Sequence, residues 1–150
     1  MLKKIFLGLF VLFILIQFIP NQLPKVTLNN KNDLLTNNEL PIEIENQIRT
    51  SCYDCHSNET IYPWYSYVAP ISFLVRRDTE VGRKELNFSD WETLNKRKKA
   101  KYLTNFIEEI EEGEMPFPPY LITHNNAKLT DKKKQALIDW ANSYAESLFE

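Results

Sequence analysis

Five consecutive residues, Cys52, Tyr53, Asp54, Cys55 and His56, constrain this chain more than any other part of its sequence. They contain its only two cysteines and one of its two histidines. The C-x-x-C-H spacing is typical of covalent attachment of c-type haem. Two thiols on one helical turn can reach the two vinyl groups along one porphyrin edge, and the adjacent imidazole can then bind the iron. The motif predicts one haem c, attached through Cys52 and Cys55, with His56 as the proximal iron ligand.

Two other chemistries use closely spaced cysteines. A structural zinc site needs four ligands, and the two cysteines and two histidines of the chain would supply that number. A redox-active dithiol of the thioredoxin kind is expected beside a βαβ unit, and no strand pattern of useful length is present. Both alternatives stay open, but haem is favoured because it gives the histidine next to the second cysteine a function.

The amino-terminal segment, residues 1–23, is predicted to be a membrane anchor or a signal segment. Its apolar run from Ile5 to Ile19 follows two lysines. As a helix this run would be about 22 Å long, against a bilayer core of about 30 Å, whereas residues 2–23 would reach roughly 33 Å. No small residue suited to signal-peptidase cleavage follows the run, which favours an uncleaved anchor over a cleaved signal peptide. The lysines would stay in the cytoplasm, so the rest of the chain would be exported.

The remaining residues divide into a tether and a domain. Residues 24–40 contain five asparagines and show no clean periodicity, which is typical of a linker. Residues 41–150 are predicted to form the folded domain. The net charge of −2 does not suggest nucleic-acid binding, and we interpret the basic run at Lys96–Lys99 as a solvated helix face.

The apolar spacing in the domain predicts an all-α fold. One helix is expected from Pro41 to Cys52, with apolar residues four positions apart on one face. A second is expected to open at the capping box Ser89–Glu92 and to end at Gly113. Thr130 is expected to cap a last amphipathic helix.

The distal iron ligand has two candidates in the domain, Met115 and His124. Cytochromes usually take Met or His at this position. Met115 lies in a proline-rich loop just after a predicted helix end, and prolines restrict the backbone of such a loop. A stiff loop loses little entropy when its thioether binds iron, so Met115 is favoured over His124.

Two further groups of residues are candidates for contact with the haem. An aromatic stretch after the motif is expected either to wall the macrocycle or to form ordinary core; it comprises Tyr62, Trp64, Tyr65, Tyr67 and Phe73. Arg76 and Arg77 are candidates for pairing with the haem propionates, because a guanidinium matches a carboxylate in geometry. A solvated surface is the alternative for these arginines.

Taken together, the chain resembles the haem-binding domain family of bacterial cytochrome-c-like proteins. The phrases that carry this resemblance span about residues 41–145 and are SCYDCHSNET, YPWYSYVAPISFLV, GRKELNFSDW, GEMPFPPYLITH and LTDKKKQALIDWA. The resemblance implies a cytochrome c-like helical fold, covalently bound haem c and an export signal or anchor. It assigns attachment to Cys52 and Cys55, the proximal role to His56 and the distal role to Met115.

These observations predict a membrane-anchored monohaem cytochrome c that transfers single electrons between redox partner proteins. Because c-type haem is attached outside the cytoplasm, we expect a single-pass protein of the bacterial inner membrane with its haem domain in the periplasm. A secreted periplasmic protein is the alternative if the signal is cleaved. With both axial positions of the iron filled, no catalytic residue and no enzymatic activity are expected. The alternative function is a haem-based sensor or peroxidase-like protein with a labile distal ligand.

Overall fold

Helices and loops make up the whole chain in the computed structural model, which describes residues 1–150 and contains no β-strand. The all-α prediction is therefore confirmed. Three short 3₁₀ helices lie at Trp64–Tyr67, Phe88–Thr93 and Asn125–Ala127. The eight α-helices are α1 (Leu2–Ile16), α2 (Leu34–Asn37), α3 (Ile42–Ser51), α4 (Tyr53–His56), α5 (Ile71–Glu85), α6 (Lys96–Glu112), α7 (Pro118–Leu121) and α8 (Asp131–Ser147).

The hydrophobic core lies where α3, α6 and α8 meet. Helix α6 packs against α8, α3 packs against α8, and the short helix α4 lies against α5. Burial of the apolar face of each long helix is the main force that holds them together. The buried apolar residues are Leu34, Ile44, Ile48, Tyr53, Phe88, Trp91, Leu103, Ile110, Leu129, Leu137 and Ala141. This core fixes α3 and α4, and with them the cysteine motif.

The helix ends follow the sequence-based expectations except at Ser89, and α3 lies between the expected Pro41 and Cys52. Gly113 ends α6 in the left-handed conformation with φ of 78°, and the Thr130 side chain caps α8 by accepting from the Lys133 amide. The capping-box prediction at Ser89 was wrong. The Ser89 hydroxyl is buried and donates to Asp33, so α6 begins later, with Asn95 as its cap.

Residues 24–40 are not a free tether. Leu34 is fully buried in the core, and the carboxylate of the buried Asp33 accepts hydrogen bonds from the Tyr53 hydroxyl at 2.7 Å and the Ser89 hydroxyl at 3.2 Å. A buried carboxylate is costly unless it is hydrogen-bonded, and these contacts meet that need. The packed part of the molecule therefore begins before Pro41.

Helix α1 is apolar and exposed along its length. It has no buried residue, and it ends at Ile16, so the longer of the two helices considered, over residues 2–23, does not form. None of the helices combines the length and the apolar character needed to cross a membrane. Just after α1, the Gln17 side chain forms two hydrogen bonds with the Ala69 backbone, at 3.1 Å to its oxygen and 3.0 Å to its amide.

Candidate haem site

The C-x-x-C-H motif forms a helical turn at the end of α3. Helix α3 stops at Ser51, the backbone bends at Cys52, and α4 covers Tyr53–His56. The amides of Cys55 and His56 both donate to the Cys52 oxygen, at 3.2 and 2.9 Å. The two cysteines and the histidine are thereby held within one turn.

This turn lines a cavity of about 370 Å³, which lies in the size range of sites for small molecules and cofactors. Cys52, Cys55 and His56 line one part of it. Met115, from the loop between α6 and α7, also lines it. The structure therefore brings the two motif cysteines and His56 together with Met115, the favoured distal ligand. Met115 lies about 60 positions after the motif in the sequence.

The orientation of His56 leaves one ring nitrogen free to bind a metal. Its Nδ1 lies 3.0 Å from the Leu86 carbonyl oxygen. Because a carbonyl can only accept, Nδ1 carries the proton and Nε2 keeps its lone pair. Metal-binding histidines typically donate their other N–H to such a carbonyl. Burial also lowers the pKa of His56, which favours the neutral imidazole that metal binding requires.

The two cysteine side chains are free, half-buried thiols. Burial, the larger effect, and the neighbouring Cys55 raise the pKa of Cys52 to about 12. Burial, followed by the nearby carboxylate of Asp54, raises the pKa of Cys55 to about 11. Both groups therefore stay protonated at neutral pH, unlike the low-pKa cysteines of redox-active dithiols.

Close packing of α5 against the motif depends on Gly82. A Cβ atom at this position would lie 2.6 Å from the Cys55 carbonyl oxygen and 3.1 Å from the Cys55 Cβ. No other residue allows the α5 backbone to approach the motif so closely. Gly82 therefore positions α5 as one wall of the cavity.

We expect Gly82→Ala to lower the free energy of unfolding by roughly 1–2 kcal/mol, although alanine favours a helix. The added methyl group meets backbone atoms of Cys55, which cannot move as a flexible side chain would. Urea denaturation of the full-length protein measures the change. Gly8→Ala in the exposed helix α1 is the matched control, because its Cβ meets nothing within 4 Å. Equal stability of the Gly82 variant and the parent would contradict this close approach.

Comparison of the sequence with protein-family models identifies the family of this chain. The model described as "Haem-binding domain" matches residues 11–143, which is most of the chain. The chain belongs to the haem-binding domain family. The resemblance seen in the sequence is thus confirmed at the level of the family, and with it haem as the ligand class. No curated protein and no solved structure matches the chain.

The second distal candidate of this haem-binding domain, His124, does not line the cavity. Its ring stacks on the Tyr120 ring, with 3.9 Å between centroids and 9° between planes. Its Nδ1 lies 3.1 Å from the backbone carbonyl oxygen of Tyr120. His124 thus supports a residue of the cavity wall. No three His, Cys, Asp or Glu side chains lie close enough to hold a metal ion, so the ligand set of the zinc alternative is not assembled.

Of the two interpretations of the aromatic stretch, a wall of the cavity is not what the structure shows. None of the five aromatic residues between positions 62 and 73 lines the cavity, and Trp64 and Tyr67 are 77% and 69% exposed. The aromatic side chains that do line it are Phe88, Tyr102, Phe106, Phe117 and Tyr120. Their spacing carried a usable signal, because Tyr102 and Phe106 are four residues apart on one helix face and Phe117 and Tyr120 flank the prolines after Met115.

The two arginine candidates differ in position. Arg77 lines the cavity, whereas Arg76 does not and pairs with Glu80 at 2.8 Å. Arg77 contacts Asp78 at 2.7 Å and remains largely exposed. Arg77 is therefore the arginine of this pair that can reach a carboxylate of a ligand in the cavity.

Proposed function

We propose that this haem-binding domain is a monohaem cytochrome c that is tethered to the membrane and passes single electrons between redox partner proteins on the periplasmic side. The observation that carries the proposal is one cavity lined by both motif cysteines, His56 and Met115. No catalytic residue is part of the proposal.

Cys52 and Cys55 are free thiols and would hold the haem covalently. Addition of each S–H across one vinyl double bond would leave the sulfur and the hydrogen on adjacent carbons and would need no oxidant. Their position on one turn would allow both sulfurs to reach the same porphyrin edge. Attachment of one haem then follows from the single motif in the chain.

His56 and Met115 would hold the haem iron, and they are ligands of different strength. His56 is fixed by its Nδ1 contact with the Leu86 oxygen and offers Nε2. Met115 offers a weaker thioether, which raises a reduction potential relative to a second histidine. Bound haem supplies an iron that changes between ferric and ferrous states by one electron. If His56 and Met115 both bound the iron, no position on it would be open to a substrate.

The remaining lining residues control access to the site. Phe88, Phe106, Phe117 and Leu129 give the cavity an apolar surface, which keeps water from the metal. Arg77 at the cavity is proposed to pair with a propionate. The domain's residues therefore hold, orient and shield the cofactor, as an electron carrier requires.

The amino-terminal segment supports the proposed tether. Helix α1 exposes a continuous apolar surface, which is unfavourable in water and is covered by lipid in membrane-bound proteins. Export through this segment would place the domain where c-type haem is attached, either as an anchored inner-membrane protein or, after cleavage, as a periplasmic one.

Exposure of the reduced, haem-loaded protein to carbon monoxide tests electron transfer against the alternative of a haem sensor or peroxidase. We expect no change in the visible spectrum within minutes, because Met115 occupies the distal position. The Met115→Ala variant is the positive control, since it should bind the gas at once. Rapid binding by the parent protein would instead favour the sensor or peroxidase.

A further inference from the structure

The loop that carries Met115 is held at both of its ends. At the first end, Gly113 terminates α6, and the Met115 amide donates to the backbone carbonyl oxygen of Glu109 at 3.0 Å. At the second end, the hydroxyl of Tyr120 in α7 donates to Asp54 Oδ2 at 2.7 Å. Asp54 belongs to the C-x-x-C-H motif itself. The second contact therefore joins the Met115 loop directly to the attachment turn.

The Asp54 residue is held in place by hydrogen bonds that do not involve Tyr120. It lies between the two motif cysteines, and its Oδ1 accepts from the Ile61 amide at 2.9 Å. Its backbone oxygen accepts from the Thr60 hydroxyl at 2.8 Å. These contacts leave Oδ2 free for Tyr120, so the carboxylate acts as a rigid acceptor.

Tyr120 is equally well placed. Its ring lines the haem cavity and is supported on one face by the stacked ring of His124. Burial raises the pKa of Tyr120, and the hydrogen bond to the Asp54 carboxylate raises it further. The phenol therefore remains a donor at neutral and moderately alkaline pH.

We propose that the hydrogen bond between Tyr120 and Asp54 is a clamp that holds the Met115 loop against the attachment turn and so limits replacement of Met115 by external ligands. This inference rests on the proposed ligation by His56 and Met115. Hydrogen bonds to charged groups are the stronger class in proteins. Tyr120 and Asp54 are positioning residues, because they act through Met115 and not on the iron.

Imidazole titration of the ferric, haem-loaded, full-length protein tests the clamp. Tyr120→Phe removes the hydroxyl and keeps the ring that stacks on His124. We expect this variant to bind imidazole on the order of tenfold more tightly and to lose part of the near-red sulfur-to-iron absorption. Tyr65→Phe is the matched control, because it removes a tyrosine hydroxyl that contacts Thr123 at 2.9 Å outside the cavity. Its imidazole affinity should equal that of the parent.

Variants of Asp54 separate a clamp from a general loss of structure. Asp54→Asn keeps an acceptor oxygen and should restore most of the parent's resistance to imidazole, whereas Asp54→Ala should bind it as tightly as Tyr120→Phe. Combining Asp54→Ala with Tyr120→Phe should add little, because both remove the same contact. Fully additive effects, or parental affinity in Tyr120→Phe, would overturn the clamp.

The Met115→Ala variant distinguishes failure of the clamp from failure of the ligand assignment. It should show the tightest imidazole binding of the series. If it binds imidazole as weakly as the parent, Met115 is not the ligand, and the proposed ligation and the clamp both fail. If it binds tightly while Tyr120→Phe does not, only the clamp fails.

Discussion

Replacing both Cys52 and Cys55 with serine should remove all haem that survives denaturation. Only thioether bonds retain haem on an unfolded chain, and the motif cysteines are the only sulfhydryl groups in this protein. The full-length variant, produced together with a haem-attachment system, should give no haem stain on a denaturing gel. The unmodified chain should stain strongly.

The single variants provide the control for this experiment. Cys52→Ser and Cys55→Ser each keep one thioether, so any haem they retain should remain on the denatured chain. Serine differs from cysteine by one atom, and the half-buried positions of both residues tolerate it without a large cavity. Persistent staining of the double variant would show that haem is attached elsewhere, and covalent attachment through the motif would be wrong.

Replacing Met115 with alanine should abolish the near-red absorption that arises between a thioether sulfur and ferric iron. Met115 is the only methionine after the amino-terminal residue, so no second thioether can substitute for it. The loss should be complete, because alanine offers no ligand atom. A visible spectrum of the ferric full-length protein measures this change.

His124→Ala is the matched control for the distal ligand. His124 lies outside the cavity and stacks on Tyr120, so its removal should leave the absorption band in place. If the parent lacks the band and His124→Ala changes the spectrum, the histidine is the distal ligand and the assignment to Met115 is wrong.

The parts of the fold that follow from the sequence depend on local patterns. Helix α8 has its cap at Thr130 and its buried residues Leu137 and Ala141 four positions apart, all within one segment. The cysteine motif is likewise local, since the turn that it forms is complete within five residues. The scarcity of Met and His in the domain left two candidates for the distal ligand, and the prolines around Met115 favoured it over His124.

The parts that the sequence did not predict depend on contacts between distant residues. Asp33 is buried by hydrogen bonds to Tyr53 and Ser89, which lie 20 and 56 positions away, so the asparagine-rich segment around it resembled a linker. The hydrogen bond to Asp33 also occupies the Ser89 hydroxyl, which is why Ser89 does not cap α6 as the capping box predicted. The position of the aromatic stretch near Trp64 was left open for a related reason, because composition does not reveal whether such a segment packs against the cavity or elsewhere.

The close approach at Gly82 shows the same limit most clearly. A single glycine in a helix carries no local signal that distinguishes packing from chance. Its role becomes visible only when α5 is placed against Cys55, where a Cβ would collide with the backbone.

The alkaline pyridine spectrum of the full-length protein, produced together with a haem-attachment system, tests the central claim most directly. This spectrum reports the amount of haem and whether its vinyl groups have been converted to thioethers. We predict one haem per chain with both vinyl groups saturated by Cys52 and Cys55. A spectrum with no haem, or with haem that retains both vinyl groups, would contradict the account.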